Sequence, residues 1–170
     1  MVREIVVYPD KRLKLVSKEV ETFNGALHDL LDDMYDTMIQ SNGVGLAAIQ
    51  VGIDQRILII NEPNENDAQL RENTLEMINP VIIEKSGATK YQEGCLSVPG
   101  YYDDVERYQY VKVEYLDRNG QSHTIENDGF LAIAIQHEMD HLDGKVFVEK
   151  LSFTKRKRFE KEWKKRQKVS

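Results

Sequence analysis

The stretch "DGFLAIAIQHEMDHL" (128–142) constrains this chain more tightly than any other. Its first half is apolar nearly all round, so a helix there has no face to offer water and must lie at the centre of the molecule. Asp128 stands where a helix N-cap is expected. The second half carries two histidines and several carboxylates, which are costly to bury unless something pairs them. Helical positions four apart lie one above the other, so His137 and His141 can aim their imidazoles at one point. Glu138, beside the first histidine, can reach a water there without ligating a metal itself. The pattern therefore calls for a metal site with two ligands in place and a third to be found. Asp140 and Asp143 are candidate acceptors behind those ligands.

The rest of the chain supplies the walls around such a helix. After Asn24, Leu27, Leu30, Leu31, Met34 and Met38 recur at helical spacing, which predicts an amphipathic helix. "RILII" (56–60), "MINPVIIE" (77–84) and "TKYQ" (89–92) read as strands. Val111, Val113 and Tyr115 alternate with Lys112 and Glu114, and "RNG" (118–120) turns the chain toward a further strand, "SHTIE" (122–126). Residues 61–74 are polar and read as a mobile loop. A basic helix follows from about 154 to 168. The expected class is α+β, with antiparallel strands around one buried central helix that carries His-Glu-x-x-His, and a C-terminal helix. Neither repeats nor linkers interrupt it, so residues 1–170 are expected to form a single domain.

At 170 residues, 41% apolar and 31% charged, the composition is that of a folded globular protein able to bury a core without disulfides. No apolar run is long enough for a membrane span, and "MVREIVVYPD" lacks the features of a signal peptide. A cytoplasmic protein without membrane association is expected. The net charge of −6 conceals an asymmetry, because residues 151–170 carry nine Lys/Arg against two Glu. The first 150 residues carry 14 basic against 27 acidic side chains. A basic tail on an acidic body suggests that the tail has its own partner, unless Phe159 and Trp163, four apart, simply anchor it to the body.

The third metal ligand is open on residue type alone. His28 lies on an acidic amphipathic helix and His123 beside a turn, both expected at the surface. Close behind the motif, "LDGKVFVEK" (142–150) offers only Asp143 and Glu149. Cys95, in "EGCLSVPG" (93–100), is the only cysteine, and a lone cysteine is as readily a buried structural thiol as a ligand.

Three segments in order, "GVGLAAIQ" (43–50), "EGCLS" (93–97) and "QHEMDH" (136–141), resemble the signature motifs of the peptide deformylases. The similarity extends to "VER" (105–107), "LDRNG" (116–120) and "LDGKVF" (142–147), nearly the whole chain. It implies that Cys95 joins His137 and His141 as metal ligands, with water in the fourth position. It implies removal of the formyl group from N-formylmethionyl nascent polypeptides, by attack of a metal-bound hydroxide on the formyl carbon. Glu138 would serve as general base and then acid, and the Gln50 side-chain amide and Leu96 backbone N–H as oxyanion donors. Val44 and Gly45, opposite Gly94, would pair with an extended peptide, and Val44, Phe130, Ile133, Ala134 and His137 are candidates for the methionine pocket. The resident metal implied is Fe²⁺, one per chain, although Zn²⁺, Ni²⁺ and Co²⁺ also suit one thiolate and two imidazoles. The basic tail would dock on the ribosome. A departure falls at Tyr101–Tyr102, where some relatives carry an arginine facing the substrate. Two rivals are a zinc endopeptidase, which would need a ligand downstream of the motif, and a non-enzymatic ribosome-binding module, for which only the tail speaks.

Overall fold

Helix α1 (Gly25–Gln40) starts where the Asn24 side chain accepts a hydrogen bond from the Leu27 N–H at 3.1 Å. Its five predicted core positions, Leu27, Leu30, Leu31, Met34 and Met38, are all buried. They pack on one face of a five-stranded antiparallel sheet whose strands are β1 (Gly45–Ala47), β2 (Ile57–Ile60), β3 (Leu75–Ser86), β6 (Tyr110–Leu116) and β7 (Ser122–Asn127). The strands lie in the order β1-β2-β3-β6-β7. Two further strands, β4 (Thr89–Cys95) and β5 (Val98–Arg107), form a separate hairpin. The computed structural model describes residues 1–169.

Strand β2 explains why "RILII" has no polar alternation. Ile57 and Ile59 face α1, whereas Leu58 and Ile60 face α2 (Phe130–Leu142) on the other side of the sheet. A strand covered on both faces must be apolar on both. Leu46 and Ala47 of β1 divide in the same way. Helix α2 is thus buried against the sheet, with Ala132, Ile135 and Leu142 fully enclosed, as its apolar circumference requires.

A third core forms away from the sheet. Val98 and Val105 of the hairpin, Val146 and Phe147 after α2, and Tyr8 receive Phe159 and Trp163 from α3 (Phe153–Val169). The Trp163 indole N–H donates to the Tyr8 carbonyl at 3.1 Å. The basic helix is therefore anchored by its two aromatic residues, while Lys157, Lys161, Lys164 and Lys165 are exposed.

Some local expectations are corrected. Asp128 does not cap α2, because the helix begins at Phe130 with Gly129 as N-cap. The cap comes from Asn127, whose Oδ1 accepts from the Gly129 and Ala132 N–H groups at 2.8 and 3.0 Å. Within "EGCLS", Glu93, Gly94 and Cys95 end β4, and the hairpin continues to Thr89↔Arg107. Residues 61–74 contain a short 3-10 turn (Arg71–Asn73) and spend several polar groups on hydrogen bonds to neighbouring elements. No helix among the described residues is long and apolar enough to cross a membrane.

Candidate metal centre

The last two turns of α2 place His137, Glu138 and His141 in the interior, the three residues being 8%, 4% and 0% exposed. His137 Nε2 lies 3.3 Å from His141 Nε2, and Cys95 Sγ lies 3.4 Å from His141 Nε2. All three donor atoms fall within 4.8 Å of one another. Metal–nitrogen bonds of about 2.0 Å and a metal–sulfur bond of about 2.3 Å put tetrahedral ligand atoms roughly 3.3 to 3.5 Å apart. The residues fit a metal ion: a thiol and two imidazole nitrogens face a common point, and both histidines are too buried for water to serve all of them. His28 instead bonds the Arg118 carbonyl, and His123 pairs with Asp117, so neither approaches the site.

Cys95 reaches this point because the β4–β5 register shifts after Gly94↔Tyr102. Its sulfur accepts from the Ser97 N–H and from Gln50 Nε2, each at 3.4 Å. Gln50 is 1% exposed in a single 3-10 turn (Ala48–Val51). Its Oε1 accepts from the Ala47 N–H at 3.0 Å and its Nε2 also donates to Ser97 Oγ at 3.0 Å. The amide is held rigidly beside the thiol.

Behind the histidines lies a charge network that residue type alone did not expose. Glu93 accepts from His137 Nδ1 at 2.7 Å and from both Nε and Nη2 of Arg107, each at 2.7 Å. Arg107 also binds Asp140, which Lys150 approaches at 3.4 Å. Burial pushes the Glu93 carboxyl upward, but the Arg107 fork and His137 hold it below its ordinary value. An ionised Glu93 makes His137 Nδ1 the donor and leaves Nε2 free for a metal. Asp140 thus acts through Arg107, and Asp143 lies on the surface with Arg56, not behind a ligand. Glu93 and Arg107 are buried positions in two otherwise largely exposed strands, so no pattern of residue types marked them.

Glu138 differs from these paired groups. Its Oε2 is buried with no hydrogen-bond partner among the described residues, and burial pushes the carboxyl up to about 7. Its Oε1 lies 3.8 Å from His137 Nε2, just outside the Cys-His-His set. Gly45 backs onto it, for a Cβ there would fall 3.0 Å from Oε1.

These groups form the floor of a cleft of about 530 Å³ between the edge strand β1 and the β4–β5 hairpin. Val44 and Gly45 line one wall, Gly94 and Leu96 the other, and Phe130, Ile133 and Ala134 the apolar base. All the candidate peptide-binding residues therefore share one cleft. Two aromatic residues join them: Tyr91, which sequence reasoning did not single out, 5.6 Å from the Phe130 ring, and the exposed Tyr102, one of the pair where the departure falls, which covers Gly94. Tyr101, its neighbour, points away into the third core against Phe159 at 4.6 Å.

Known proteins share this fold over nearly the whole chain. The peptide deformylase of Nautilia profundicola is 56% identical over 164 residues, which cover 96% of this chain and 94% of that protein. A crystal structure of a peptide deformylase from Legionella pneumophila superposes with a TM-score of 0.90 at 40% identity, covering 99% of this chain and 97% of that one. One from Ehrlichia chaffeensis in complex with actinonin gives 0.87 at 45% identity, covering 97% of each chain. The Polypeptide deformylase family model matches residues 2–157, from before α1 to within α3 and across every residue of the centre. On this match and this identity, the chain belongs to the polypeptide deformylase family.

Proposed function

We propose that this chain hydrolyses the formamide bond of N-formylmethionyl polypeptides, releasing formate and a free amino terminus, and that residues 1–170 act as one catalytic domain. The observation that carries the reading is the convergence of Cys95, His137 and His141 next to Glu138, whose Oε2 has no other partner. Cys95, His137 and His141 would hold the metal, for which Fe²⁺ is the proposed resident ion and Zn²⁺, Ni²⁺ or Co²⁺ substitutes. When bound, the ion supplies Lewis acidity, lowering the pKa of water and drawing charge from a carbonyl oxygen.

The protein groups do the rest. Glu138 takes a proton from the attacking water and returns it to the departing amine, and a carboxyl at about 7 suits both steps near neutral pH. The Gln50 amide and the Leu96 N–H stand beside Cys95, where they can donate to the oxygen that gains charge. Val44, Gly45 and Gly94 offer backbone groups to an extended peptide from two facing strand edges. Phe130, Ile133 and Ala134 give the methionine side chain an apolar seat.

The endopeptidase reading is not favoured, because Asp143 is engaged by Arg56 and the ligand set found among the described residues is completed by Cys95, upstream of the motif. The outward face of α3, with Lys157, Lys161, Lys164 and Lys165 exposed, supports docking on ribosomal phosphates in the cytoplasm. The decisive test offers formyl-Met-Ala-Ser beside an internal-peptide substrate. Formate release with no internal cleavage is expected, and the reverse result refutes the reading.

A further inference from the structure

The substrate wall of β1 is weakly built. Strand β1 spans three residues at the sheet edge, and its ladder with β2 ends at Gly45↔Ile60 with one further bond, from the Asn61 N–H to the Val44 carbonyl at 2.8 Å. Beyond that point the wall is Asn42-Gly43-Val44, with Asn42 at φ +58° and glycines on both sides of Val44. The Asn42 and Gly43 N–H groups are tied to the Ile39 and Met38 carbonyls at 3.1 and 2.9 Å, but a glycine-flanked backbone still has conformations to lose when a peptide must be paired in register. Something outside the strand has to hold it.

Gln69, on the segment between β2 and β3, does so. Its Nε2 donates to the Gly43 carbonyl at 2.9 Å and to the Asn61 carbonyl at 2.6 Å. One amide thus bridges both segments at the point where the β1–β2 ladder stops, in the place of a further rung. Gln69 is itself fixed, since its carbonyl accepts from the Tyr35 hydroxyl of α1 at 2.6 Å. Arg71 lies over the Tyr35 ring at 4.4 Å and pairs with Asp36 at 2.8 Å, which ties the segment to α1 a second time. On its other side Gly43 abuts Leu96, whose Cδ1 would lie 2.7 Å from a Cβ at that position. Gly43 is therefore held between Gln69 and the residue that follows Cys95.

We infer that Gln69 is a positioning residue for the substrate: it holds Gly43–Val44 in the extended register that pairs with the peptide, and it never touches the reacting atoms. The inference rests on the proposed function, and its experiment separates the two. Gln69→Leu keeps the size and removes both donors. Against formyl-Met-Ala-Ser its KM should rise about fivefold to tenfold, the scale of one or two neutral hydrogen bonds, with kcat within about twofold. Metal content should not change. With formylmethionine alone, which has no peptide backbone beyond the first residue, KM should shift by less than about twofold. Asn64→Ala serves as a control, because Asn64 orders the same segment by accepting from the Asn66 and Ala68 N–H groups and touches neither Gly43 nor Asn61. It should leave KM as it is. An unchanged KM in Gln69→Leu, equal shifts for both substrates, loss of metal, or an equal effect of Asn64→Ala would each overturn the inference. The proposed function would stand in all of these cases so long as the unmodified protein releases formate.

Discussion

Glu93 Oε1 accepts the Nδ1–H of His137 at 2.7 Å, and this one bond turns His137 Nε2 toward Cys95 and His141. The same carboxylate accepts from Nε and Nη2 of Arg107, whose side chain is 3% exposed. A surface element, the β4–β5 hairpin, is joined to the metal-facing edge of the central helix by charge inside the protein.

Removing that carboxylate should therefore weaken the site and the fold together. Glu93→Ala is expected to lower metal affinity about tenfold to a hundredfold, the usual range for loss of a group that orients a ligating histidine. It should also cost about 3 kcal/mol of stability, because Arg107 keeps a buried charge with only Asp140 beside it. Chelator competition and urea unfolding measure the two effects. Unaltered metal affinity would mean that His137 is oriented by other groups.

Ligation and proton transfer should separate along α2. Glu138→Gln keeps shape but removes the base, so metal content should stay near one ion per chain while kcat falls by at least about a hundredfold. His141→Ala and Cys95→Ser should instead lose metal and activity together, as judged by elemental analysis after anaerobic purification. A Glu138→Gln protein that turns over normally would remove Glu138 from the mechanism.

The outward face of α3 can be tested without disturbing its anchor. Lys161, Lys164 and Lys165 are exposed, whereas Phe159 and Trp163 are buried in the third core. Reversing the three lysines to glutamate should abolish salt-sensitive co-sedimentation with ribosomes and leave hydrolysis of short formyl peptides unchanged. Truncation after Lys150 is a poorer test, because it uncovers Phe147 and Val98 and should lower Tm. Full co-sedimentation of the reversed variant would refute docking through this face.

The attachment of α3 should depend on pH in one direction. Burial raises the Asp103 carboxyl, but Lys155 at 3.0 Å and the Asp104 N–H outweigh it and hold the value below the ordinary 3.8. A depressed carboxyl contributes stability that is present above its unfolded value and disappears as pH falls through the folded one. Trp163, the only tryptophan, packs on the same core and reports the event by fluorescence. Its acid-induced red shift should begin at higher pH in Asp103→Asn than in the unmodified protein. Coincident acid profiles would show that Asp103 does not help to hold the helix.

How much was legible in the sequence follows from the range of each interaction. The apolar circumference of 130–135 placed α2 at the centre, and its period put His137 and His141 on one face with Glu138 beside them, because helix geometry is local. The α1 core positions and the apolar run of β2 were legible for the same reason. The motifs around Gly43–Gln50 and Glu93–Ser97 singled out Cys95 and Gln50 by resemblance, which spacing alone had left open. Even a local feature was misplaced where side chains compete, since Asn127 reached the first turn of α2 before Asp128 could. Only the tertiary structure decided that Cys95 Sγ meets the histidines within hydrogen-bond range, that Glu93 and Arg107 stand behind them, and that Gln69 grips Gly43. Those contacts depend on the register shift after Gly94 and on the path of residues 61–74 across α1, and neither is encoded in a period. A periodic pattern specifies which face of an element is buried; what that face meets is set by the packing of the whole chain, which a pattern of neighbours cannot express.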